Sequence, residues 1–215
     1  MKILNQQIFE NREAAALPGL MESGGLPALV SGLSGIHRVN LAAALYERLE
    51  LPLLIVCPDD SAAESFSRDL EAMTGEKVNT LYSRDFTFYS SLAASREAEQ
   101  KRLYVLNALR CGESPLTVAT VSALMQRTIP PQTLIKAAFT VKDGESCPPE
   151  ELERAQVRCG YTLCEQVEGA GQFSRRGGII DFFSPSYPEP VRIEFWGDDI
   201  DSMGFFDVKT QRRTE

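Results

Sequence analysis

Leu53-Leu54-Ile55-Val56-Cys57-Pro58-Asp59-Asp60-Ser61-Ala62-Ala63-Glu64 is the stretch on which the fold turns. Its first five residues are a continuous apolar run of strand length, which predicts a strand buried on both faces of a parallel sheet. Pro58 and the two aspartates end that strand. Ser61 to Glu64 then reads as a capping box, with hydroxyl and carboxylate satisfying orphan amides at a helix start. Asp60, beside it, reads as a helix-start acid and not as a metal ligand. Phe66, Leu70 and Met73 give this helix one apolar stripe, and Gly75 closes it.

Outward from there the rhythm repeats. Residues 1–25 are weakly patterned and predict a peripheral helix ending in the turn Ser23-Gly24-Gly25. Ala28-Leu29-Val30-Ser31 predicts a first strand, Gly32-Leu33-Ser34-Gly35 a loop, and His37 to Leu49 a helix. Downstream, Val78 to Tyr82 predicts a third strand. Ser95 to Arg110 predicts a long helix with Ala98, Leu103, Leu106 and Leu109 inward. Leu116 to Val121 predicts a fourth strand, followed by a short helix over Ala123-Leu124-Met125. Strands and helices alternating through short loops give an α/β domain with a parallel sheet.

Ile129-Pro130-Pro131 breaks the rhythm, since two prolines oppose helix continuation. Beyond it the pattern changes in kind. Ala137 to Val141 alternates like a strand and meets the turn Lys142-Asp143-Gly144. Glu150 to Arg158 predicts one helix, ended at Gly160. Strand-like runs follow around 163–167, 179–183, 191–196 and 200–205, with Gly- or Pro-rich turns between them. This predicts a small α+β domain on an antiparallel sheet. The expected division is 1–134 and 135–215.

Composition narrows the function. Of 215 residues, 22 are Lys or Arg and 30 are Asp or Glu, for a net charge of −8. Residues 135–215 hold ten basic and fifteen acidic side chains. Neither half offers the clustered positive charge that unaided DNA binding requires. No apolar run reaches the length of a membrane span, and the N-terminus lacks a signal-peptide core. The cysteines (57, 111, 147, 159 and 164) are odd in number with no C-x-x-C, and the single histidine, His37, is distant from all of them. The reading is a reduced, cytoplasmic protein with no bound metal.

Gly32-Leu33-Ser34-Gly35-Ile36-His37-Arg38-Val39 stands where an NTPase keeps G-x-x-x-x-G-K-[ST]. In that motif the last glycine lets the backbone curl around phosphate, the lysine bridges the outer phosphates, and the hydroxyl holds magnesium. Here His37 adds a side chain, Arg38 substitutes a planar fork for a compact ammonium, and Val39 carries no oxygen. The loop reads either as a degenerate descendant of a nucleotide site or as a plain tight turn. No cofactor is expected. With one histidine, no Ser-His-Asp or Cys-His arrangement can be assembled, so no catalytic residue is assigned.

The most specific stretch is Gly171-Gln172-Phe173-Ser174-Arg175-Arg176-Gly177-Gly178-Ile179-Ile180-Asp181-Phe182-Phe183-Ser184-Pro185. It continues into Val191-Arg192-Ile193-Glu194-Phe195-Trp196-Gly197-Asp198-Asp199-Ile200-Asp201-Ser202 and then Phe206-Asp207-Val208-Lys209-Thr210-Gln211. It resembles the UvrA-binding domain shared by the excision-repair protein UvrB and the bacterial transcription–repair coupling factors. The departure is Ser184, where the family usually has proline. Val118 to Leu124 resembles the segment preceding that domain, which makes the Gly32 loop the degenerate form of the UvrB phosphate loop. The short stretch between Ser83 and Ala94 leaves no room for the aromatic DNA-clamping hairpin of UvrB. Both features favour the coupling-factor branch over an ATP-dependent repair helicase of the UvrB type.

What the resemblance implies is a non-catalytic module that recruits UvrA to stalled RNA polymerase for nucleotide excision repair. Contacts to RNA polymerase and DNA then belong to downstream domains of a longer chain, one with an ATP-driven motor. It also implies Arg176 on the UvrA-facing surface, with Arg175, Phe173 and Ile180 beside it. Gly160-Tyr161 is followed by Thr162 where relatives often carry arginine, and Arg158 stands one turn earlier as a substitute.

Overall fold

The computed structural model describes residues 5, 7–83, 92–187 and 189–214, with side chains within the helix at 92–111 described from residue 98 onward. The interval expected to be too short for a hairpin falls largely outside these residues. Two compact units emerge, Met1–Arg84 with Ala108–Arg127, and Asp85–Asn107 with Thr128–Glu215.

In the first unit, a short 3-10 turn (Ile8–Glu10) leads to helix α1 (Arg12–Glu22), capped by the Asn11 side chain. Helix α2 (Gly35–Leu49), strand β1 (Leu53–Cys57), helix α3 (Asp60–Thr74) and strand β2 (Asn79–Leu81) follow. Helix α4 (Leu92–Cys111) belongs to the second unit as far as Asn107 and to the first from Ala108, and strand β3 (Leu116–Thr120) and the short helix α5 (Val121–Met125) follow in the first. The three strands form a parallel sheet in the order β1-β3-β2. Val39, Ala43, Ala63, Leu70, Leu116 and Val118 are the centre of its core.

Several expectations are corrected here. Residues 28–31 form no strand; Leu29 is 95% exposed and no described strand pairs with the segment. β1 is not covered on both faces, because Leu54 and Val56 are each about half exposed while Cys57 is buried. The strand buried throughout is β3, which lies between the other two. The cap of α3 is Asp59, whose carboxylate accepts from the Ala62 amide at 2.8 Å, so the helix starts before the expected Ser61. In α4 the buried positions are Arg102, Val105 and Ala108, whereas Leu103 and Leu109 lie exposed.

Beyond α5, which ends at Met125, the second unit resumes with helix α6 (Pro131–Ala137), a helix not among the expected elements, and the proline pair stands at its start. Pro131 occupies the first turn, where its missing N–H has no intrahelical partner to lose. Residues 138–141 are not a strand, although Phe139 and Val141 still pack on the core. Helix α7 (Pro149–Arg158) precedes strands β4 (Thr162–Leu163), β5 (Gln172–Arg176), β6 (Ile179–Phe182), β7 (Val191–Trp196) and β8 (Asp199–Phe205). They form one sheet in sequence order, antiparallel except for the β4–β5 pair. β5 was not among the expected strands. Leu152, Phe173, Ile180, Phe182, Ile193 and Ile200 form the core between α7 and the sheet.

Candidate partner-binding site

Strand alternation sends neighbouring residues of β5 to opposite faces of the sheet. Phe173 and Arg175 lie on the face that packs against α7, and Ser174 and Arg176 lie on the other. The register continues across the sheet, pairing Arg175 with Ile180, and Ser174 with Asp181. Arg176 pairs with Ile179, which in turn pairs with Glu194. Between β5 and β6, Gly177 adopts a φ of +62°, a conformation that favours glycine. At Gly178 a Cβ would stand 3.0 Å from the Phe195 carbonyl oxygen, whose own residue donates its amide to the Gly178 carbonyl. Both glycines serve the backbone.

The outer face is organised by Asp181, which is fully buried. Its carboxylate accepts from Arg192 Nε at 2.7 Å and Arg192 Nη2 at 2.8 Å, a bidentate pair, and from Arg176 Nη2 at 2.6 Å. Arg192 also donates to the Gln211 carbonyl at 3.2 Å and lies 4.8 Å from the centroid of the Phe206 ring. The hydrogen bonds from Arg192 to Asp181 push the Arg192 pKa above its ordinary value. Arg192 is thus a structural cation, 15% exposed, while the side chain of Arg176 is 45% exposed with the same anchor at its base.

Arg175 has a different setting. Its guanidinium meets Glu150 at 2.5 Å and Glu153 at 3.0 Å, both on α7. The bond to Glu150 raises the Arg175 pKa and holds the Glu150 carboxyl below the usual range. This is a clamp between sheet and helix. Phe173 and Ile180, expected beside Arg176 on a partner surface, are both 0% exposed and are corrected to core residues. Arg158 is exposed in the last turn of α7, and Thr162 is exposed in β4. Leu163, Cys164, Glu165, Arg175 and Arg176 line a shallow depression at the end of β5.

The Gly32 loop is built differently. Gly32 has a φ of +81°, and Ser34 flanks the start of α2 with its hydroxyl 2.8 Å from His37 Nδ1. Gly35, His37 and Arg38 are exposed, whereas Val39 is buried in the core and presents nothing to a ligand. Among the described residues no group of three or more His, Cys, Asp or Glu side chains is placed to hold a metal ion. The five cysteines are unpaired, and Cys159 donates its thiol to the Ala137 carbonyl.

The motif around Arg176 therefore sits on one sheet with its arginine exposed and its carboxylate buried, and known proteins share this region. Residues 139–215 match a family described as the UvrB interaction domain. Over 97% of its length the chain is 33% identical to the transcription-repair-coupling factor of Bacillus subtilis. The corresponding protein of Myxococcus xanthus is 34% identical over 86% of the chain, and that of Escherichia coli 28% identical over 89%. The chain spans only 16–18% of the length of these relatives. The matched segment contains the sheet carrying Arg176, Asp181 and Arg192. No helix among the described residues is long and apolar enough to cross a membrane.

Sequence alone sets Arg175 beside Arg176 and does not anticipate β5, whose alternation separates the two, and it misses the roles of Asp181 and Arg192. Their only signal was position: each lies one residue from a core isoleucine, Ile180 or Ile193, on strands that turn out to pair.

Proposed function

We propose that this chain is a non-catalytic recruitment module of a transcription-repair-coupling factor, and that its UvrB interaction domain binds UvrA through the sheet face carrying Arg176. In this reading it acts in the cytoplasm, bringing excision-repair machinery to stalled RNA polymerase. Contacts to polymerase and DNA belong to other parts of the longer protein. The observation that carries the reading is Arg176 itself: a solvent-reaching guanidinium fixed at one nitrogen by a buried carboxylate, beside a glycine turn, in a segment matching this family. A fork held in place loses less side-chain entropy on docking and retains donors for a partner carboxylate.

The first unit supports the non-catalytic part. Val39 is buried where a magnesium-binding hydroxyl would stand, and His37 occupies the position of the bare glycine. An ATP-hydrolysing UvrB-type module would need both. The test is direct mixing of the chain with UvrA, followed by gel filtration or calorimetry. A one-to-one complex is expected, with no magnesium-dependent ATP binding by the chain alone. A failure to associate with UvrA, or micromolar binding of ATP, contradicts the reading.

A further inference from the structure

Trp196 is the only tryptophan of the chain, and it is 83% exposed. Most large aromatic side chains are largely buried, so one left in water draws attention when it stands on a face with other anchor types. Trp196 ends β7, opposite Asp199 across a turn in which Gly197 has a φ of +65°. The β7–β8 register shifts between Glu194 and Phe195, yet Ile193 and Phe195 both pack on the core, which leaves Arg192, Glu194 and Trp196 on the other face. Glu194 pairs with Ile179, and Ile179 with Arg176, so these three form one row across the sheet. Strands about 4.8 Å apart put the ends of that row about 10 Å from each other, with Trp196 about 7 Å further along β7.

Charge on this face differs from the rest of the chain. Arg176 and Arg192 share the single carboxylate of Asp181, and Arg213, hydrogen-bonded to Ser202, stands 4.0 Å from Glu194. With Asp199 exposed opposite Trp196, three cations stand against three anions, so this face is balanced on a protein whose net charge is −8. Arg176, 45% exposed and tied to Asp181 through Nη2, keeps donors for a partner carboxylate, and the exposed indole calls for an apolar receptor. Arginine and tryptophan are the residue types that most often dominate interface energetics.

We infer that Trp196 is the apolar anchor of the same docking face as Arg176, received by an apolar pocket of UvrA that lies beside an acidic side chain. The inference rests on the recruitment reading above, and UvrA is its one occupant. The indole has few contacts to lose within its own fold, so its truncation acts on binding and leaves folding intact.

The chain labelled with 5-fluorotryptophan gives a single fluorine resonance, since it has one tryptophan. Adding UvrA is expected to shift or broaden that resonance. Trp196→Ala is expected to weaken UvrA binding at least tenfold while leaving the melting temperature of the chain unchanged. A complex that depends on Arg176 but leaves the resonance in place overturns this inference and leaves recruitment standing. No complex at all overturns both. A resonance that moves with the chain's own concentration, in the absence of UvrA, assigns the face to a second copy and overturns the inference too.

Discussion

Two glycine turns, Gly32-Leu33-Ser34-Gly35 and Gly177-Gly178, look alike as backbone devices and differ in what surrounds them. The first leads into α2 with a buried valine, an exposed histidine bonded to the hydroxyl of Ser34, and an exposed arginine. The second joins two paired strands, and the side chains on either side of it converge on one buried carboxylate. A glycine permits a tight path but supplies no chemistry of its own. Function at a turn comes from side chains fixed relative to each other, and at the second turn two arginines are fixed on one buried carboxylate.

The contrast breaks most severely if Asp181 is removed. Asp181→Ala leaves Arg192 largely buried without its partner, a class of change that costs about 3–5 kcal/mol. Thermal denaturation of the variant is expected to show a large drop in melting temperature, and UvrA binding should fall with it. Asp181→Asn keeps the shape and is expected to lose less, since one amide oxygen still accepts.

A smaller effect on stability, but a specific one on binding, is expected from Arg176→Ala. Its exposed side chain contributes little to folding. Calorimetry should show UvrA affinity reduced by about tenfold or more, with the melting temperature shifted by a few degrees at most. Restoring phosphate-loop chemistry to the other turn tests the opposite arm. The triple change His37→Gly, Arg38→Lys, Val39→Thr removes a core side chain and is expected to lower stability without producing ATP binding, as followed by equilibrium dialysis. Gain of nucleotide binding would mean the loop is closer to functional than its side chains indicate.

The smallest effect concerns Arg175. Its bond holds the Glu150 pKa down, so that contribution to stability is present above the ordinary carboxylate range and is lost as pH falls through the lowered folded-state value. Arg175→Ala is expected to return Glu150 to the ordinary range in a carboxyl-carbon NMR titration. Another local titration lies in the first unit, where the hydrogen bond from Tyr46 to Glu76 raises the tyrosine pKa to about 12. Glu76→Gln should bring that transition back toward 10, seen in tyrosinate absorbance.

Much of this was legible in the sequence where local chemistry dominates. The alternation from Leu53 to Met125, the end of α3 at Gly75 and the arginine-glycine motif could be read directly, whereas strands expected at 28–31 and 137–141 do not form and α6 and β5 were not anticipated. What could not be read was which apolar run lies in the middle. Leu53–Cys57 is more hydrophobic than Leu116–Thr120, yet the latter, with Thr117 and Thr120, is the strand buried throughout. Burial there follows from pairing order, which no single segment encodes. The Pro130-Pro131 pair carried two opposite meanings, and its position at the helix start decided between them. Asp181 and Arg192 lie eleven residues apart, and only the β6–β7 register brings them together.

The central claim is that two adjacent arginines serve different ends because they point to opposite faces of one strand. The most direct measurement is the UvrA dissociation constant of the chain carrying Arg176→Ala beside that carrying Arg175→Ala, under the same conditions. The prediction is a loss of tenfold or more for Arg176→Ala and no more than a two- to threefold change for Arg175→Ala. Equal losses, or a greater loss from Arg175→Ala, would contradict it.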